Sequence, residues 1–274
     1  MWSNIIIYFV TFALMNQESV TSIHNPKIKR LASLQQKSSE RRDSGLFVVE
    51  GEREIRHCLN SGYELDTLFI CPEITDRRIP GTAARTIEVT RQVYEKVAYR
   101  DSTEGMIAEV RMKERKLDSI VLGERPLIVV LESVEKPGNL GAILRSADAA
   151  GVDAVLICDP LTDLYNPNLI RSSIGSIFTK QVVACRSEEA VRYLKDHDIQ
   201  ILTAQLQDSE WYYDTDMRRA TAIVMGTEAT GLTDQWREAA DAHIRIPMLG
   251  ALDSLNVSVS AAILMYEAVR QRNA

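Results

Sequence analysis

A strand that runs into Pro247 and hands over to a helix through Gly250 and Ser254 leaves few folds open to this chain. Ile244 and Ile246 end an apolar strand, Pro247 stops its ladder, and Gly250 permits an unusual backbone angle. Ser254 has the form of an N-cap for a small-residue, apolar helix that ends near Arg270. Asn256, Ser258 and Ser260 then place uncharged hydrogen-bonding groups where a core helix carries aliphatics. A junction of this kind offers unsatisfied backbone N–H groups to a ligand.

The same alternation extends upstream. Leu127–Leu131 is a continuous apolar strand of the kind buried on both faces of a parallel sheet. Strands are also expected at Ala154–Cys158, Gln181–Ala184, Ile199–Thr203, Ala222–Met225 and His243–Ile246. Helices are expected at 140–150, 168–177, 188–195, 233–240 and 254–271. This is a parallel α/β pattern, in which ligands bind beyond the carboxyl ends of the strands. Residues 22–110 alternate on a smaller scale, with a helix over 22–42, strands at 46–49, 65–70, 86–89 and 105–110, and helices at 52–61 and 90–97. The charged stretch between them suits a linker. The expected organisation is a small α/β domain over 15–112, a linker over 113–125 and a larger parallel-sheet domain over 126–274.

Three polar segments fall at strand ends of the larger domain. They are Glu135–Gly151, which holds Lys136-Pro137-Gly138-Asn139-Leu140-Gly141 and Arg145; Val224–Leu232, which holds Gly226, Glu228 and Gly231; and Ile246–Ser260. In this order and at these separations they resemble the motifs of the SpoU/TrmH family of RNA ribose 2′-O-methyltransferases, within the SPOUT superfamily. The resemblance covers roughly residues 126–270. It implies a trefoil-knotted domain, S-adenosylmethionine as cofactor, a homodimer, and an RNA substrate, with ribosomal RNA ahead of transfer RNA. Topology rules alone disfavour a knot. The string Arg42–Gly51 resembles the start of the substrate-binding domain that precedes many such catalytic domains.

Methylation of a ribose is an in-line displacement in which the 2′-hydroxyl, a poor nucleophile, needs proton removal or stabilisation of its developing alkoxide. Arg145 matches the family arginine of this step; without that role it is a helix charge paired with Asp148. An arginine is a reluctant base, so alkoxide and phosphate stabilisation is expected. Asn139 is expected to cap its helix and orient the ribose or Arg145, Glu228 to assemble the substrate site, and Ser254 and Asn256 to stand near the cofactor and the reacting centre. Backbone loops with Thr203, Leu206, Met225, Gly226, Ile246, Met248 and Leu255 are expected to form the cofactor slot, although Leu206 and Met225 also read as core. Arg171, Ser172, Ser173 and Gly175 resemble a less definite family segment, interrupted by Ile174.

Charge is uneven. The net charge is −6; residues 1–125 carry 19 Lys/Arg against 18 Asp/Glu, and residues 126–274 carry 13 against 20. Contact with RNA phosphates is therefore assigned to the local basic run Lys27, Lys29, Arg30, Lys37, Arg41 and Arg42. A solvated helix face is the plain alternative. No GxGxxG follows a strand, which disfavours a dinucleotide-dependent oxidoreductase, and Leu232-Thr233 replaces the Lys-Ser/Thr of a phosphate loop. A catalytically silent RNA-binding assembly factor is the rival of another class. Four cysteines without a CxxC pair and four scattered histidines predict reduced thiols and no metal site, in keeping with a cytoplasmic protein. The apolar run over 4–15 is too short to span a membrane and lacks a preceding Lys or Arg, so residues 1–14 are expected to be an extension ahead of a start at Met15.

Overall fold

The structure is a computed structural model that describes residues 18–76, 79, 83–99, 104–227, 230–251 and 253–274. The expected extension over 1–14 and Glu228 lie outside these residues. The chain forms two compact units that divide between Lys113 and Glu114.

The first unit is a five-stranded mixed sheet with helices. Its elements are β1 (Glu18–Val20), α1 (Pro26–Gln36), α2 (Ser38–Ser44), β2 (Leu46–Glu50), α3 (Glu52–Asn60), β3 (Leu65–Ile70), β4 (Ala83–Val89), α4 (Arg91–Val97) and β5 (Met106–Arg111), with strand order β1-β4-β3-β5-β2. Asn25 starts α1 by accepting the Lys27 N–H at 2.9 Å, and Pro26 supplies a preset φ. Ile28, Leu31 and Leu34 bury one face of that helix with Phe69, Ile87, Tyr94 and Ile107.

The helix expected over 22–42 is two helices. Lys37 is extended at φ −114°, and Arg41 returns beneath the break to donate to the carbonyls of Leu34 (2.6 Å) and Gln35 (3.3 Å). Arg41 therefore satisfies the orphan acceptors of α1 and is only 2% exposed. Its assignment to RNA is corrected: it is a buried cap. Gly45, in the left-handed region at φ 66°, ends α2.

The second unit is a seven-stranded, all-parallel sheet in the order β10-β12-β9-β11-β6-β7-β8. Its elements are β6 (Leu127–Glu132), α5 (Pro137–Ala149), β7 (Ala154–Cys158), α6 (Pro167–Ser173), α7 (Ser176–Thr179), β8 (Gln181–Cys185), α8 (Ser187–Asp196), β9 (Gln200–Ala204), β10 (Glu210–Trp211), β11 (Thr221–Met225), α9 (Asp234–Ala239), β12 (Ala242–Arg245) and α10 (Val257–Arg272). Ile128 and Val130 join the core beneath α8 and α9. Leu127, Val129 and Leu131 are equally buried and, by strand alternation, point to the other face. Burial on both sides explains the unbroken apolar run.

On that other side α5 packs against α6 and α10. The single helix expected over 168–177 is split by Ile174 and Gly175, both at positive φ. Cys158 and Cys185 face each other across β7 and β8 with their sulfurs 3.8 Å apart, and no disulfide forms among the described residues. No described helix is long and apolar enough to cross a membrane.

Candidate functional site

The first polar segment is held by close helix packing. Pro137 begins α5 after Lys136, so Asn139 lies inside its first turn and is not the cap it was expected to be, and Gly141 faces α6. A Cβ on Gly141 would lie 1.9 Å from Ser172 Oγ, and that hydroxyl donates to the Pro137 carbonyl at 3.0 Å. Ser172 thus fixes the entry of the helix, and glycine is the residue the approach allows. Arg145 lies further along α5, exposed, with no hydrogen-bond or ion-pair partner among the described residues. The alternative reading, a pair with Asp148, does not occur: Asp148 meets Lys180 at 3.4 Å.

The second segment is a tight loop after β11. Thr227 and Gly231 exchange backbone hydrogen bonds at 3.1 and 3.3 Å, and Gly231 has φ 69°. A Cβ on Gly226 would come within 2.2 Å of the Gly231 carbonyl oxygen. The departing end of the loop is anchored by Glu132, the last residue of β6, which is 3% exposed. Its carboxylate accepts the Thr233 N–H at 2.9 Å and the Thr233 hydroxyl at 2.7 Å. Sequence reasoning missed Glu132; an acid ending an otherwise apolar strand was the available signal.

The third segment caps its helix two residues later than expected. Asn256, not Ser254, is the N-cap of α10: its Oδ1 accepts from the Ser258 N–H at 3.0 Å and from the Ser258 hydroxyl at 2.6 Å. The assignment of Ser254 as cap is corrected, and its hydroxyl instead meets Asp253 at 3.3 Å. Asn256 Nδ2 also donates to Asn139 Oδ1 at 3.2 Å. That bond joins the first and third segments across the unit.

A cavity of about 410 Å³ opens at the carboxyl ends of the neighbouring strands β12, β9 and β11. Leu206, Met225, Gly226, Ile246, Met248 and Leu255 line it, as does Ser254, and Asn256 stands between the lining residues Leu255 and Val257. Thr203 does not line it. Its side chain is fully buried and its hydroxyl meets His243 Nδ1 at 2.6 Å, so the lining begins one residue later, at Ala204. That expectation is corrected by strand alternation: Thr203 belongs to the ladder, and the loop belongs to the cavity. Gln205 and Arg237 also line the cavity. Gln205 was within reach of sequence reasoning as the neighbour of Leu206; Arg237 sits in a short helix that carries no motif. No cluster of described residues is arranged to hold a metal ion.

Residues 126–266 match the SpoU rRNA Methylase family, and residues 25–108 match the MRM3-like substrate binding domain. The chain belongs to the SpoU rRNA methylase family. The 23S rRNA (guanosine(2553)-2′-O)-methyltransferase RlmP of Bacillus subtilis (strain 168) is 29% identical over 252 residues, 91% of this chain and 98% of that protein. A solved RNA 2′-O ribose methyltransferase superposes with a TM-score of 0.81 at 40% identity, covering 93% of this chain and 100% of its own. The AdoMet-bound rRNA methyltransferase from Sinorhizobium meliloti gives a TM-score of 0.83 at 28% identity, covering 92% and 97%. For this SpoU-family chain the cavity and the Asn139–Asn256 bond lie within the stretch that carries the family match.

In the first unit the other basic residues are less uniform than their sequence suggests. Arg30 donates through Nε to Glu109 at 3.2 Å and again through Nη2, so its guanidinium is held against β5. Burial pushes the Glu109 carboxyl above the usual carboxylate range, and the Arg30 hydrogen bond and charge pull it back in part. Lys27 pairs with Glu18. Lys29, Lys37 and Arg42 are exposed.

Proposed function

We propose that this protein methylates a ribose 2′-hydroxyl in ribosomal RNA with S-adenosylmethionine as methyl donor. The observation that carries the reading is the Asn256–Asn139 hydrogen bond beside the cavity, which brings two of the three sequence segments to one place. The cavity fits the cofactor. Its size is that of a small-molecule site. Leu206, Met225, Ile246, Met248 and Leu255 form apolar walls for adenine, and Gly226, Thr227 and Gly231 of the loop line the same cavity. When bound, S-adenosylmethionine supplies an electrophilic methyl group.

The chain's own residues supply position and charge. Asn139 and Asn256 orient each other and stand where the ribose is held. Arg145 has an exposed guanidinium without a protein partner among the described residues, suited to a developing O2′ alkoxide and a neighbouring phosphate. It does not take the proton, because a guanidinium is a donor with no acceptor atom. The proton leaves O2′ for a phosphate oxygen or water. Ser254 contributes a hydroxyl at the cavity rim, and Glu228 is assigned to the substrate side. RNA contact falls to Lys29, Lys37 and Arg42, with Lys27 beside them.

A homodimer in the cytoplasm, with α10 threaded as a knot, completes the reading. Val259 and Tyr266 lie seven residues apart on one side of α10, 46% and 49% exposed, as a self-complementary face would require. The test is methylation of ribosomal and transfer RNA with methyl-labelled cofactor, followed by mapping of 2′-O-methyl positions. A single labelled ribose in 23S rRNA is expected. Label on a base, or on transfer RNA alone, would replace this reading.

A further inference from the structure

Two side chains that line the cavity each carry a buried polar atom with no hydrogen-bond partner among the described residues: Gln205 Oε1 and Arg237 Nε. An unmade hydrogen bond at a buried atom is costly, and such atoms at a cavity wall point to a ligand that completes them. Gln205 Nε2 donates to the Gln207 carbonyl at 3.0 Å, which fixes the amide with its oxygen left over. Among the described residues Arg237 makes only a long contact with the exposed Asp234, at 3.6 Å through Nη1. The cavity's other guanidinium, Arg245, is committed to the Ser209 carbonyl at 2.5 Å and to the Trp211 ring at 4.2 Å.

We infer that Arg237 binds the α-carboxylate of the cofactor's amino-acid end and that Gln205 accepts the adenine amino group. The inference rests on the cavity being the cofactor site. S-adenosylmethionine carries a sulfonium, an ammonium and one carboxylate. A guanidinium on the wall repels the first two, so it gains only by meeting the third. Asp253 lines the same cavity and gives the ammonium a charged acceptor. The neutral Gln205 oxygen is then matched to a neutral N–H, and it adjoins Leu206 in the apolar wall. Neither side chain belongs to the three sequence segments.

The test is calorimetry on the full chain with two ligands, S-adenosylhomocysteine and 5′-methylthioadenosine, which lacks the amino-acid end. Arg237→Met keeps the aliphatic stem and removes the charge. It is expected to weaken S-adenosylhomocysteine about ten- to hundredfold, the range of a charge-assisted hydrogen bond, and to leave 5′-methylthioadenosine within about twofold. Gln205→Met is expected to weaken both ligands. Equal loss of both ligands in Arg237→Met, or unchanged binding of S-adenosylhomocysteine in either variant, would overturn the assignment. Should a variant fail to fold, wild-type protein answers the same question. Decarboxylated S-adenosylmethionine should bind it far more weakly than S-adenosylmethionine, and S-inosylhomocysteine, without the 6-amino group, more weakly than S-adenosylhomocysteine; equal affinities would reject the two contacts. Wild-type protein that binds none of these ligands would reject the cofactor site itself, a separate result.

Discussion

Arg145 is where the chemistry can be tested by one side chain. It is exposed on α5 and its removal breaks no hydrogen bond or ion pair among the described residues, so Arg145→Ala should fold normally and bind cofactor. Methyl transfer under single-turnover conditions should fall on the order of 100-fold or more, the usual cost of losing one preorganised group at a developing oxyanion. Arg145→Lys should recover little, because a point charge does not reproduce the guanidinium fork. Near-normal turnover of Arg145→Ala would return the residue to the helix surface. Arg30 tests the opposite situation, a cation absorbed by the fold. Glu109 is fully buried, its carboxyl is raised by burial, and a raised carboxyl gives stability that is lost as pH climbs through its folded pKa. Arg30 offsets that loss. Arg30→Ala should therefore raise the Glu109 carboxyl further and destabilise the first unit by about 2 kcal/mol, under the range for a fully buried pair because Arg30 is partly exposed. The drop in urea midpoint should be larger at about pH 8 than at about pH 5, and the reverse order would show that the pair is not what Arg30 contributes. These two arginines also mark what a sequence discloses at this scale. Arg145 was legible because a motif surrounds it. Arg30 and Arg41 looked like their exposed neighbours, and only the return of β5 beneath α1 and the break at Lys37 showed their partners.

At the scale of elements, the strands of the larger unit were legible to within a residue or two because burial on both faces writes an unbroken apolar run. Helix boundaries were less so. The cap of α10 slipped from Ser254 to Asn256 because both residues can cap, and Asn139 chose between them by receiving the Asn256 amide. The short strands β1 and β10, three and two residues long, carry too few alternations to read. The loop after β11 was readable from its glycines, and its geometry now says why they are there. Gly226→Ala would push a methyl group against the Gly231 carbonyl and force the Thr227–Gly231 pairing open. An overpacked contact of this kind costs about 1–3 kcal/mol. Because the loop lines the cavity, that cost should appear as roughly ten- to hundredfold weaker binding of S-adenosylhomocysteine by calorimetry, with a smaller change in thermal midpoint. Unaltered binding would show that the loop yields without disturbing the cavity.

For the whole molecule, the division between Lys113 and Glu114 predicts a separation of labour. The parallel sheet, the cavity, the Asn139–Asn256 bond and the Glu132 anchor all belong to the second unit. A fragment spanning Glu114–Ala274 keeps every one of these contacts, and its core does not draw on the first unit. The fragment should therefore fold, bind S-adenosylhomocysteine with the affinity of the full chain, and show the same oligomeric state in light scattering, since Val259 and Tyr266 are retained. What it loses is the exposed basic group Lys29, Lys37 and Arg42. The second unit is acidic by composition, so phosphate attraction should drop with the first unit. Affinity for ribosomal RNA should fall and its salt dependence flatten, because fewer counterions are released on binding. The expected pattern is thus intact cofactor binding with impaired methylation of native RNA, partly recovered at high RNA concentration. Methylation of the native RNA by the fragment at the full chain's rate and selectivity would remove the first unit from substrate recognition and place that task on the catalytic unit.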